Sequence, residues 1–370
     1  MSETNILDRL GEIKKIDRND MVGLCMKTPQ YCRDAVERAK RIRTPEQLKP
    51  RNIVIAGVGG SAIGGELLRD WLSYRISLPI EICRDYVLPV YANKNTLVYV
   101  VTYSGETEET LSAFVDAVKK KCVVFAITSG GHLLSFSKKL QVPHVLAPSG
   151  LPSRAALPYL FLPSAIIMEK LSVVSNAENE IQEAVRTAEK VLRENSPQIP
   201  MRNNLAKNLA WNLRRTVPVV YGFRQYCSVA HRWKTQFDEN SKIVNKYDVF
   251  PELDHNEVMG WQASEKFTKQ FSVVLIRDRE EPPEIKQRIE ATKSFALHRA
   301  REVLEVFSEG KGRLAKMLSI ICLGDLVSVY LAILRGVDPT PVRTITDIKT
   351  EMKKKLNVVK KLEAEVEKLV

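Results

Sequence analysis

Chemistry is densest in the polar run AHRWKTQFDENSKIVNKYDVFPELDHNEVMGW, from Ala230 to Trp261. Glu239 falls where a helix ends, and a partly desolvated glutamate can serve as base toward a carbon acid. His255 sits in an Asp-His-Asn turn, where an imidazole can pass protons between oxygens. Spacing alone leaves ordinary loop hydrogen bonding open as the other reading of both residues. His231 and His255 lack the spacing of metal ligands, and neither HExxH nor GxSxG occurs. No metal is expected.

Three further turns are rich in hydroxyls and glycine. VVTYSGETEETL sets Thr102, Ser104 and Thr107 around Gly105 just as a helix begins. Backbone N–H groups at a helix start attract an anion, and short hydroxyl side chains complete a shell around tetrahedral oxygens. Without the GK[ST] of a nucleotide-triphosphate loop, such a turn suits a phosphomonoester. The plainer reading is that Ser104 caps the helix. For an anion to bind, Glu106, Glu108 and Glu109 must point away. AITSGGHLLS carries Ser129, Gly130 and Gly131, and LAPSGLPSRAALPYL places Arg154 ahead of another helix. A guanidinium there is either a surface group or a stabiliser of enediolate charge. IVIAGVGGSAIGGE offers a rival: Gly57, Gly59 and Ala62 form a GxGxxA variant of the dinucleotide fingerprint, with Glu81 or Asp85 as the ribose acid.

These turns need a scaffold. Between residues 50 and 149, short β-rich runs alternate with helical periodicity, predicting strands at Ile53–Ala56, Ile80–Cys83, Leu97–Val101, Cys122–Thr128 and His144–Leu146. IVIAG, LVYVV and CVVFAIT are apolar throughout, as buried parallel strands are. Helices are expected at 155–172 and 177–194. ENSPQIPMRNN then piles up turn formers and sets a boundary near residue 197. Beyond it the strands VPVVYG, FSVVLIRD and VLEVF alternate with helices at 224–240, 283–299 and 313–334. The fold class is therefore α/β, in two domains of residues 1–197 and 198–370. The tail from Asp347 repeats apolar residues at Met352, Leu356, Val359, Leu362 and Val366 against a lysine-rich face, predicting a helix that docks on its own domain, with a calmodulin-like or nucleic-acid-binding helix as the other reading.

Composition narrows the partners. The 370 residues carry a formal net charge of +12, but the lysines and arginines are dispersed among acids, without the aromatic-interleaved stripe of a nucleic-acid binder. The six cysteines form no CxxC pair, as expected of reduced thiols. The start MSETNILDRLGEI has early acids and no apolar core of a signal peptide, and no uninterrupted apolar stretch reads as membrane-spanning. A cytoplasmic location without nucleic-acid or membrane partners is the expectation.

GGSAIGGELLRDW, TYSGETEET, PSRAALPY, RWKTQFDENSK and FPELDHNEVMGW follow in an order that resembles the bifunctional phosphoglucose/phosphomannose isomerases. That family belongs to the sugar isomerase (SIS) domain superfamily, and the resemblance runs from about Ile53 to Lys349. It implies two SIS subdomains, each a flavodoxin-like parallel sheet flanked by helices, in a homodimer. It implies reversible isomerisation of glucose 6-phosphate, with mannose 6-phosphate, to fructose 6-phosphate without a cofactor. By the same resemblance Gly60, Ser61, Thr102, Ser104 and Thr107 hold the phosphate and Arg154 lies near the reacting carbons. Glu239 would move the proton between C1 and C2, His255 would assist ring opening, and the family's C-terminal lysine falls on Lys349. The chain departs from the usual motifs at Val58, Ala62 and Thr102. A non-catalytic SIS sugar-phosphate regulator and a nicotinamide-dependent dehydrogenase are the alternatives.

Overall fold

The computed structural model describes residues 6–45 and 48–370, and two parallel sheets organise them. The first contains β1 (Asn52–Ala56), β2 (Ile80–Cys83), β3 (Thr96–Val101), β4 (Val123–Thr128) and β5 (His144–Leu146). Their order across the sheet is β2-β1-β3-β4-β5, every neighbouring pair parallel. This is the flavodoxin-like order, not the 3-2-1-4-5-6 order of dinucleotide-binding sheets. All six residues of β3 are buried, whereas the edge strand β2 buries only Cys83. Continuous apolar runs thus mark strands covered on both faces.

The second sheet contains β6 (Val217–Phe223), β7 (Lys246–Phe250), β8 (Phe271–Arg277) and β9 (Glu302–Phe307) in the order β7-β6-β8-β9, again all parallel. Strand β7 is the element that the hydropathy pattern misses. Its sequence, KYDVF, is polar because it is an edge strand in which only Phe250 is buried.

Long-range contacts divide the chain into two compact units. One is built on β1–β5 and comprises Gln30–Asn179 with Val342–Val370; the other is built on β6–β9 and comprises Glu180–Pro341 with the described residues up to Pro29. A division at residue 197 differs from this in the internal boundary, which falls between Asn179 and Glu180, and at both termini, since each terminal segment packs with the sheet that is remote from it in sequence. The tail is two helices, Arg343–Leu356 and Val358–Glu367, parted at Asn357, whose φ is 43°. Val359, Leu362 and Val366 enter the core beside Phe114, Leu133 and Phe136, so this helix docks on the β1–β5 unit.

The helix Arg313–Leu334 is long and apolar enough to cross a bilayer, contrary to the expectation that no stretch qualifies, but it is almost wholly buried inside the β6–β9 unit. Its polar residues face the same unit: Asp325 meets Arg232, and Ser328 meets Asn240.

Candidate functional site

In an open parallel sheet, ligands bind beyond the carboxyl ends of the strands where the order reverses. In the first sheet the reversal lies between β1 and β3, and the turns after these two strands carry the predicted phosphate residues. After β1, Gly59 adopts φ 57° and ψ −128°, a conformation that a β-carbon disfavours, and delivers the chain into the helix Gly60–Leu72. After β3, Thr107 occupies the N-cap of the helix Glu108–Lys119 without capping it. Its hydroxyl instead meets that of Thr102 at 2.9 Å. Two helix N-termini, with their unmatched N–H groups and positive dipole ends, thus open at one crevice.

Close packing locks the turns together. A β-carbon on Gly57 would lie 2.7 Å from the Val101 carbonyl oxygen and 3.0 Å from the Ser61 β-carbon, which places Ser61 beside the strand end that leads into Thr102. Gly105, at φ 71°, abuts the turn after β4 so closely that a β-carbon would overlap the Gly130 carbonyl oxygen at 1.9 Å. Ser104 is exposed, and its hydroxyl accepts from the Glu106 N–H at 3.2 Å. Glu106 turns toward the neighbouring helix Gly131–Lys139, accepting from the His132 N–H at 3.0 Å and meeting His132 Nδ1 at 2.7 Å. That carboxylate therefore satisfies the condition for an anion in the turn. Glu109 and Glu108 lie near Tyr86, where, after burial, they help to raise its phenol above the usual range.

Tyr103, overlooked in the sequence, fixes the remaining loop. Its hydroxyl donates to the Pro148 carbonyl at 2.7 Å and accepts from the Leu151 N–H at 2.8 Å. Burial raises the phenol above its ordinary range, an effect that the bonds from Leu151 and Ser129 offset in part. The loop held in this way continues to Arg154, which is only 3% exposed. Arg154 is thus a buried guanidinium and not a surface one. The Ser153 carbonyl oxygen lies 3.8 Å from where a β-carbon on Gly60 would stand, so the loop passes beside the start of the helix Gly60–Leu72. Gly60, Ser61, Thr102, Ser104, Thr107 and the Arg154 loop accordingly gather at one end of one sheet. No pattern in a single sequence signals that the Tyr103 hydroxyl reaches a loop 45 residues away.

The rival ribose acids are occupied otherwise. Glu81 lies within β2 and accepts from the Tyr91 hydroxyl, while Asp85 accepts from the Tyr86 N–H at 2.6 Å.

Glu239 belongs to the other unit. The helix Cys227–Gln236 widens into a π-helical turn, Phe237–Ser241, and Glu239 stands half-buried on that turn. Such turns recur at functional sites. Asp238 anchors one side by accepting from Lys234 at 2.6 Å and from Asn245 at 2.7 Å. His255 ends a 3-10 turn, Glu252–His255, and is exposed. The preceding Asp254 accepts from Thr292 at 2.8 Å and from Arg288 at 3.1 Å, and Tyr221 donates to Glu257 at 2.9 Å to hold the loop's far side. Strand β7 lies between the two candidates: Glu239 precedes its first residue and His255 follows its last. Its five residues span roughly 13 Å between terminal Cα atoms at ~3.3 Å per step. The loop beyond β7 folds back along the strand, since Glu257, two residues after His255, meets Lys246 at the strand's start. Lys349 is exposed on the helix Arg343–Leu356, which buries none of its residues.

Among the described residues, no group of three or more His, Cys, Asp or Glu side chains could hold a metal ion. All six cysteines are free thiols, and burial pushes the Cys32 thiol up to about 12.

Residues 202–352 match the family described as the bacterial phospho-glucose isomerase C-terminal SIS domain. The chain is 39% identical to the bifunctional phosphoglucose/phosphomannose isomerase of Caldicellulosiruptor bescii, over 88% of this chain and 96% of that one. It is 36% identical to the protein of that name in Thermoplasma acidophilum, over 80% and 88% of the respective chains. Among solved structures, a hypothetical protein from Thermus thermophilus shares the fold, with a TM-score of 0.72, 16% identity and 94% of each chain covered.

Proposed function

This chain belongs to the bifunctional phosphoglucose/phosphomannose isomerase family, and from that premise we propose that it interconverts glucose 6-phosphate and mannose 6-phosphate with fructose 6-phosphate. One observation carries the reading: the paired hydroxyls of Thr102 and Thr107 stand at a helix N-terminus, at the point where the strand order reverses. That arrangement suits a phosphomonoester.

The phosphate anchors the sugar and supplies binding energy remote from the reacting carbons. His255, with Lys349, assists opening of the ring. The Glu239 carboxylate takes the C2 proton of the open aldose, the electrons of that C–H bond form the C1–C2 double bond of a cis-enediol, and the C1 oxygen gains a proton. Return of the proton from Glu239 to C1, as the C2 oxygen gives up its own, yields the ketose. Arg154 stabilises the charge that develops on the enediol oxygens. No electrons leave the substrate, so the reaction needs no redox cofactor, and in this reading Arg154 supplies the charge stabilisation.

The homodimer implied by the resemblance belongs to the same reading. A cytoplasmic site of action goes with phosphorylated sugars as substrates.

The test is Glu239→Gln. The variant should bind fructose 6-phosphate nearly as well as the parent while turnover falls by roughly a hundredfold or more, the usual contribution of a general base. Near-normal turnover would remove Glu239 from that role. A parent protein that binds the sugar phosphate without converting it would instead be a regulator, the reading this assay separates.

A further inference from the structure

Resting on the reading of Glu239 as the base, we propose that Ser328, acting through Asn240, is a positioning residue that sets the aim of the Glu239 carboxylate.

The helix Cys227–Gln236 and the π-helical turn after it lie along the buried helix Arg313–Leu334, and polar contacts join the two at successive turns. Trp233 Nε1 donates to the Ile320 carbonyl at 2.9 Å. Asp325 accepts from Arg232 Nη2 at 2.8 Å, Arg232 Nε at 3.1 Å and Gln236 Nε2 at 2.9 Å. At the level of Glu239 the contacts converge on one residue. Asn240 Nδ2 donates to Ser328 Oγ at 2.9 Å, and Ser241 Oγ donates to the Ser328 carbonyl at 2.6 Å. Ser328 Oγ itself donates to the Asp325 carbonyl at 2.7 Å. Asn240, Ser241 and Ser328 are all fully buried.

A buried polar pair adds little net stability over an apolar one of the same shape, but leaving one partner unmatched is costly. Such pairs therefore select one register among near-equivalent packings. Here the choice matters because a π-helical turn contains one residue more than the regular helix would, and closing it back to i→i+4 would rotate every following side chain by roughly 100°. The Asn240–Ser328 bond holds the residue directly after Glu239 in the widened register. Loss of the Ser328 hydroxyl frees the turn to relax, and a displacement of about 1 Å at a reacting group costs roughly a hundredfold.

Ser328→Ala should lower kcat by about tenfold or more while the KM for fructose 6-phosphate stays within about twofold. Ser328→Thr, which keeps the hydroxyl, should recover most of the loss. Ser319→Ala provides the matched control: Ser319 lies on the same helix, and its hydroxyl accepts from the Glu309 N–H at 2.9 Å. That variant should lose stability to a comparable degree without losing kcat. Should Ser328→Ala fail to fold, Asn240→Ala removes the other partner and is read by the same quantities. Wild-type kcat in Ser328→Ala, or equal losses of kcat in the two alanine variants, would overturn the proposal. Glu239→Gln in the same assay separates the two readings: an active Glu239→Gln removes the base, whereas an inactive Glu239→Gln beside a fully active Ser328→Ala removes only the positioning role.

Discussion

Thr102 and Thr107 share a 2.9 Å hydrogen bond between their hydroxyls across the turn that follows β3, instead of capping the helix behind them. The pair keeps two oxygens in fixed register at the opening of a helix N-terminus. Replacing either threonine with valine preserves the shape and removes one partner. A hydrogen bond to a charged group contributes about 1.5–3 kcal/mol, so each variant should lose roughly tenfold to a hundredfold in kcat/KM for glucose 6-phosphate. The loss should appear mainly in KM, because the phosphate is bound alike in ground and transition states. Steady-state kinetics on both variants would check this, and an effect confined to kcat would contradict it.

Mixed refolding tests whether the proposed homodimer shares Glu239 and His255 between copies. If one copy's His255 serves the other's Glu239, then Glu239→Gln and His255→Ala, each nearly inactive alone, should regain activity when unfolded together and refolded as a mixture. Random pairing into a symmetric dimer restores one complete site in half of the molecules, or about a quarter of wild-type activity. If both residues acted within one copy, mixing would restore nothing.

The last helix contributes to the core of the β1–β5 unit through Val359, Leu362 and Val366, with Lys119–Glu365 at 2.6 Å on its flank. Leu362 is 5% exposed, so Leu362→Ala should cost about 2–4 kcal/mol in unfolding free energy. Lys119→Ala should cost less than about 1 kcal/mol, because its partner carboxylate and its own ammonium are both well solvated. Denaturant titration of the two variants would show the contrast, and similar losses would argue against a packing role for the helix.

In the β6–β9 unit, burial works against the charge on Asp278, but hydrogen bonds from Tyr226, the Glu280 N–H and Lys316 outweigh it and hold the carboxyl below its ordinary value. A depressed carboxyl contributes stability that is fully present above the unfolded value of about 3.9 and is lost as pH falls through the folded value. Unfolding free energy should therefore decline with acid below about pH 4, and Asp278→Asn should flatten that slope while lowering stability at neutral pH. Equal slopes in the two proteins would exclude Asp278 as a source of the acid sensitivity.

Much of the scaffold could be read from local pattern. IVIAG, LVYVV and CVVFAIT are strands because continuous apolar runs of this length suit a sheet covered on both faces, and the structure places them at β1, β3 and β4. The hydroxyl-bearing turns were legible as helix starts because Ser, Thr and Gly favour such positions, but whether they cap the helix or receive an anion was not. KYDVF was not legible, since Lys246 and Asp248 leave it no apolar run, whereas the other edge strand of that sheet, β9, also with one buried residue, keeps the run VLEVF.

The sequence alone determined eight of the nine strands, the turn chemistry and the residue types suited to proton transfer, because burial and backbone conformation leave their mark at short range. Tertiary structure decided the rest. It buried Arg154 behind a loop that Tyr103 pins, widened the helix at Glu239 into a π-helical turn held by Ser328, and packed the C-terminal helix with the sheet farther from it in sequence. The physical reason is common to all three: each depends on which distant surfaces meet, and contacts between residues tens to hundreds of positions apart leave no periodic trace in the chain.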